Sequence, residues 1–111
     1  MSASACVVFF GLRYEIDRNE IEALETRSDT RIVAAKKSGL QYYWANFGTP
    51  GERYLLFVGA KIAVLGLEDN LQFSLSAEDF LALLESTKTK LKTADLNGPV
   101  SLHLQWLQDL P

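Results

Sequence analysis

His103 is the only histidine in the chain, and histidine is the side chain whose unperturbed titration lies nearest neutral pH. It sits between Ser101 and Gln105 in an uncharged, alternating stretch, Ser-Leu-His-Leu-Gln-Trp-Leu. As chemistry, this supports at most a general acid or base; as structure, it reads as a half-exposed polar position on a strand. Ser101 and His103 lie two apart on one strand face, whereas a serine nucleophile and its base normally come from separate elements. No glycine-flanked serine elbow is present. One histidine and one cysteine supply no metal-ligand spacing, so no metal and no cofactor is expected. The seven glycines form no phosphate-binding fingerprint. Glu78 and Asp79 also open the helix that would have to face a phosphate, and they would repel it.

The denser signal is aromatic. Tyr42, Tyr43, Trp44, Phe47, Tyr54 and Phe57 fall within a short stretch of the chain. Tyrosine and tryptophan carry a polar tip on an apolar body, which suits a partly wet contact surface. The strands expected here pair across a Gly48–Glu52 turn. Alternation then places Tyr43, Phe47, Leu55, Phe57, Ile62 and Val64 on one face, together with Leu71, Phe73 and Leu75. That face is expected to carry the helices. Tyr42, Trp44, Asn46, Tyr54, Leu56 and Val58 fall on the other, and the pattern of the last strand adds His103 and Gln105. Tyr42, Trp44, Asn46, Tyr54, His103 and Gln105 are therefore the candidate binding residues, with His103 the catalytic candidate if the protein is an enzyme. The alternative is that a helix crosses this mixed face and makes it core.

The elements that must position these residues are legible from local signals. Cys6–Leu12 is a continuous apolar run and reads as a buried strand, with Cys6 as a small hydrophobe. Asp17 and Glu20 have capping-box spacing, flanked by a staple of Ile16 and Ile21. Ser28-Asp29-Thr30 offers a second helix start, and Gly39 suits the left-handed position past a helix end. Residues 17–38 are thus one kinked helix or two. Leu40–Phe47, Arg53–Val58, Lys61–Gly66 and Leu71–Leu75 read as a strand meander, with Gly59-Ala60 as a two-residue turn. Ser76 and Asp79 open a helix over 77–93, and Asn97-Gly98-Pro99 precedes a last strand, Val100–Leu107. The expected fold is a single α+β domain over 1–111. It has two layers and a mainly antiparallel sheet of about six strands, with helices on one face. The element order is ferredoxin-like with an extra hairpin.

Length and charge bound the function classes. The 111 residues carry 11 Lys+Arg against 14 Asp+Glu, with 48% hydrophobic content. This is ordinary globular composition for one core. A net charge of −3 argues against nucleic acid as a partner. Arg31, Lys36, Lys37, Arg53 and Lys61 concentrate positive charge mid-chain, a pattern that solvated surfaces commonly show. The apolar run 54–67 is interrupted by Lys61 and falls short of the roughly 20 residues of a membrane span. The start lacks the basic-then-apolar order of a signal, so a cytoplasmic location and no membrane partner are expected. Two readings follow. The first is a non-enzymatic interaction module that pairs with itself as a homodimer or binds another protein through the aromatic face. The second is a small-molecule-binding protein or enzyme using the same face as a pocket.

Overall fold

A computed structural model describes residues 5–46, 54–66 and 70–107. Its elements are β1 (Ala5–Ile16), a short 3-10 turn (Arg18–Glu20), α1 (Ile21–Glu25), α2 (Thr30–Lys37), β2 (Gln41–Asn46), β3 (Tyr54–Gly66), α3 (Ala77–Thr93) and β4 (Ser101–Leu107). The strands form one four-stranded sheet in the order β2-β3-β1-β4. Every pairing is antiparallel. The class is α+β, but among the described residues the sheet has four strands and not six, without the extra hairpin.

Two segments account for the difference. Gly59-Ala60 is no turn: Tyr54–Val58 of the expected Arg53–Val58 strand and Lys61–Gly66 belong to the single strand β3. β1 also runs four residues further than its apolar core, to Ile16, and so supplies partners for Tyr54–Val58. Gly59 pairs directly with Gly11 in the middle of this long ladder. A β-bulge between Val8 and Phe9 leaves Ile62 as the extra residue. It reverses the alternation of β3 much as a two-residue turn would have done. The second segment, Leu71–Leu75, alternates like a strand but pairs with nothing among the described residues. The Gly48–Glu52 turn, Phe47 and Arg53 lie outside the described residues.

Helix boundaries follow local chemistry. The Asp17/Glu20 capping box forms, with the Asp17 amide donating to Glu20 Oε2 at 2.8 Å. Residues 17–38 hold two helices separated by a Schellman-type end at Arg27, whose φ is +60°. There the Ser28 amide donates to the Ala23 carbonyl at 2.9 Å. Gly39, at φ +73°, closes α2 in the same way, with the Leu40 amide on the Ala35 carbonyl at 2.8 Å. Ser76 Oγ accepts from the Asp79 amide at 3.1 Å and opens α3.

Asp29 caps α2 by accepting from the Arg31 amide at 2.9 Å. It also takes two bonds from the Arg31 guanidinium, from Nε at 2.9 Å and from a terminal nitrogen at 2.7 Å. Arg31 reaches Glu20 at 3.0 Å and lies 4.9 Å from the ring centroid of Tyr14. One side chain thereby ties the first helical turn and α2 to β1. The hydrogen bond from Arg31 is the main reason the Asp29 carboxyl is held below its ordinary range. A carboxyl depressed on folding gives stability that is complete above its unfolded pKa of about 3.9. That stability is lost as pH falls through the lower folded value. Asp29→Ala is expected to cost about 1–3 kcal/mol at neutral pH and to flatten the acid limb below pH 4. Urea midpoints measured from pH 7 down to pH 2 check both effects.

The main core lies between the sheet and the helices. Leu12, Ile16, Leu56 and Val58 from the strands meet Leu24, Ile32, Ala35 and Leu91 from the three helices. The helices therefore cover the face of Leu56 and Val58, not the face of Leu55 and Phe57 as the strongest hydrophobes suggest. Both faces of this stretch are apolar, and all four residues Leu55–Val58 are buried. Alternation alone sorts them into two sets without saying which set the helices take.

Candidate functional site

The register decides which candidates share a side, because directly paired residues point to the same face. Tyr42 opposes Val58, Trp44 opposes Leu56 and Asn46 opposes Tyr54. All of them are on the helix side. Tyr42, Trp44 and Tyr54 are half-buried and pack against the main core, with the Trp44 and Tyr54 rings 6.4 Å apart. What reads as an exposed aromatic face is thus the flank of the core, as in the alternative where helices cross it.

His103 opposes Phe9 and Gln105 opposes Val7, which places both on the other side of the sheet. A second cluster lies on that side: Phe9, Leu55 and Phe57 are buried, with Tyr43 and Ala45 packed on them. On either side of the Gly11–Gly59 pair, the Phe9 and Phe57 rings approach to 5.8 Å. The His103 ring sits 5.4 Å from Phe57, and its Nε2 lies 3.3 Å from the Gly11 carbonyl. The structure brings His103 and Gln105 together but not with Tyr42, Trp44, Asn46 or Tyr54.

Burial among these rings lowers the His103 pKa, and the charge of Arg13 lowers it further. The carbonyl of Gly11 opposes that shift by favouring a bound proton. The neutral ring, donating Nε2–H to Gly11, fits the site near neutral pH. Here the unfolded chain binds the proton more readily than the folded one. Stability is therefore complete above about pH 6.5 and declines as pH falls from there towards the lower folded pKa. His103→Phe is expected to remove this decline, leaving the melting temperature level between pH 7 and pH 5.5 apart from carboxylate effects. Thermal melts of the two proteins over that range measure it.

Among the described residues, no group of three or more His, Cys, Asp or Glu side chains could hold a metal ion. Cys6 is half-buried, with its thiol 3.8 Å from the Val7 carbonyl. Arg31 of the mid-chain positive cluster is consumed in its ion pairs with Asp29 and Glu20. Among the described residues, no helix is long and apolar enough to cross a membrane.

The feature that alternation on the last strand should have exposed is its apolar side. Among the described residues, β4 is an edge strand, bonded to β1 alone. Leu102, Leu104 and Trp106 oppose Phe10, Val8 and Cys6 and so lie on the helix side. The helices do not reach them: they are 46%, 64% and 57% exposed. Leu71, Phe73 and Leu75 are exposed as well. Their segment begins at Asn70, which bridges to Leu65 beside Cys6, at the same end of the sheet as Trp106. The signal was present in the sequence as two uncharged five-residue alternations, Leu71–Leu75 and Leu102–Trp106.

Comparison with protein-family models, curated proteins and solved structures finds no match to this chain.

Proposed function

We propose that the protein is a small non-enzymatic interaction module whose binding surface is the apolar side of edge strand β4. The observation that carries this reading is the exposure of Leu102, Leu104 and Trp106 in a row on a strand whose outer edge is unpaired among the described residues. Edge strands are normally blunted by charge, proline or a covering element. β4 has no Lys, Arg, Asp, Glu or Pro along Ser101–Leu107. Contiguous apolar surface of this kind marks protein contact sites on folded domains. An added strand would satisfy the edge by main-chain hydrogen bonds and read the alternating side chains for specificity.

Tyr42, Trp44 and Tyr54 then serve the module as core, and His103 as a neutral filler beside Phe57. The test is site-specific photo-crosslinking in the producing cell, with a photoreactive residue at position 104 and a control at exposed Lys88 on α3. The reading expects protein adducts from position 104 and none from position 88. Folded protein that gives no protein adduct from position 104 overturns it.

A further inference from the structure

We infer that the partner at β4 is a second copy of this chain, the two β4 strands pairing antiparallel about a twofold axis at Leu104 to give one continuous eight-stranded sheet. The inference rests on the reading of β4 as the contact surface and adds the identity and geometry of the occupant.

Self-complementarity is the first support. A twofold axis at Leu104 sets Leu104 against itself, Leu102 against the partner's Trp106, and His103 against the partner's Gln105. Apolar residues meet apolar residues on the helix side, and polar residues meet polar residues on the other. With no charged residue in Ser101–Leu107, no like charges are stacked across the axis. The opposite edge offers no equivalent, because the aromatic side chains of β2 are half-buried against the core.

Exposure is the second support. Leu102, Leu104 and Trp106 are 46%, 64% and 57% exposed, so each has apolar surface for the facing residue of a second copy to cover.

The Leu71–Leu75 segment cannot supply the missing strand within its own chain. Asn70 is held at the edge of β3 away from β1, its carbonyl accepting from the Gly66 amide at 3.0 Å. From there the outer edge of β4 is four strand spacings away, about 19 Å at ~4.8 Å each. Leu71 is one residue on, a reach of about 3.5 Å. A second copy meets no such restraint.

Light scattering across a size-exclusion peak, from low to high micromolar concentration, tests the inference. The expected result is twice the chain mass at the upper end and a single chain mass for Leu104→Lys, which sets two ammonium groups face to face. To separate a lost interface from a lost fold, Leu104→Cys and Ser101→Cys are compared in a Cys6→Ser background under mild oxidation. Position 104 should form a disulfide-linked dimer, because the axis passes through it. Position 101 should not, since it lies opposite position 107 of the partner. A wild-type chain that stays single at every concentration overturns the inference. So does a dimer that survives Leu104→Lys and leaves position 104 unlinked. If the chain is single yet position 104 crosslinks a different protein in the cell, the partner assignment fails and the interaction-module reading stands.

Discussion

Replacing Gly11 with alanine is expected to cost about 3 kcal/mol or more, a large share of the roughly 5–15 kcal/mol that holds a domain folded. Gly11 and Gly59 face each other where the two longest strands cross the middle of the sheet, at φ of +155° and +156°. Both values are strained for any residue with a side chain. Space is the larger obstacle. A methyl group on Gly11 would stand 2.1 Å from the Val58 carbonyl oxygen, and one on Gly59 would stand 2.2 Å from that of Phe10. Those oxygens belong to paired backbone, which cannot swing aside like the end of a flexible side chain. Relief requires prising β1 from β3 at their centre, next to buried Phe10, Leu12 and Val58. Gly39→Ala is the control. It also carries a positive φ, but its added methyl would meet only Lys90 atoms, at 3.9 Å and beyond. It should cost about 1 kcal/mol, the conformational penalty alone. Urea unfolding of the three proteins separates the steric part from the conformational part. Equal losses at positions 11 and 39 would contradict the close approach described above.

The second large effect is expected at Phe57. Its ring is fully buried on the face without helices, in contact with Phe9 and His103. Truncating such a side chain costs about 3–5 kcal/mol through lost transfer energy and the cavity left behind. Phe57→Ala should reach the lower end of that range or more, even though no helix packs on its side. A coupled spectroscopic effect is also expected. Removing the ring admits water to His103 and relieves the burial that depresses its pKa. The pKa should rise towards the ordinary value of about 6.5. The imidazole is the only one in the chain, so its proton resonances can be titrated without ambiguity. A loss of stability without any rise in the His103 pKa would mean that Phe57 does not shield the imidazole.

These expectations show where the sequence was legible and where it was not. Helix ends were readable because caps are local: Asp17 with Glu20, Asp29, Ser76 and Gly39 each act within a few residues of themselves. Strand count was not, for two physical reasons. Gly59 signals a departure from ordinary strand geometry, but whether that is a turn or a close crossing depends on Gly11, nearly fifty residues away. Leu71–Leu75 has the alternation of a strand without the partner that makes one. The face of the candidate site was only half readable. Alternation correctly kept Tyr42, Trp44, Asn46 and Tyr54 together, yet it assigned the helices to the wrong side of Leu55–Val58, where both sides are apolar. It also placed His103 with that group, because β4 was aligned by pattern alone. In the structure, pairing with Phe9 turns His103 away and leaves Leu102, Leu104 and Trp106 on the helix side. Long-range pairing, not composition, decided that outcome.

The central claim is that the outer edge of β4 is completed by another polypeptide strand. Amide hydrogen exchange resolved by residue, on the purified chain over a dilution series, reads that edge directly. With the paired partner in place, the outward amides of 101–107 should be slow to exchange at high concentration. They should become fast on dilution, while those of β1 and β3 stay slow throughout. Outward β4 amides that exchange equally fast at every concentration, without any binding partner that slows them, would contradict the account.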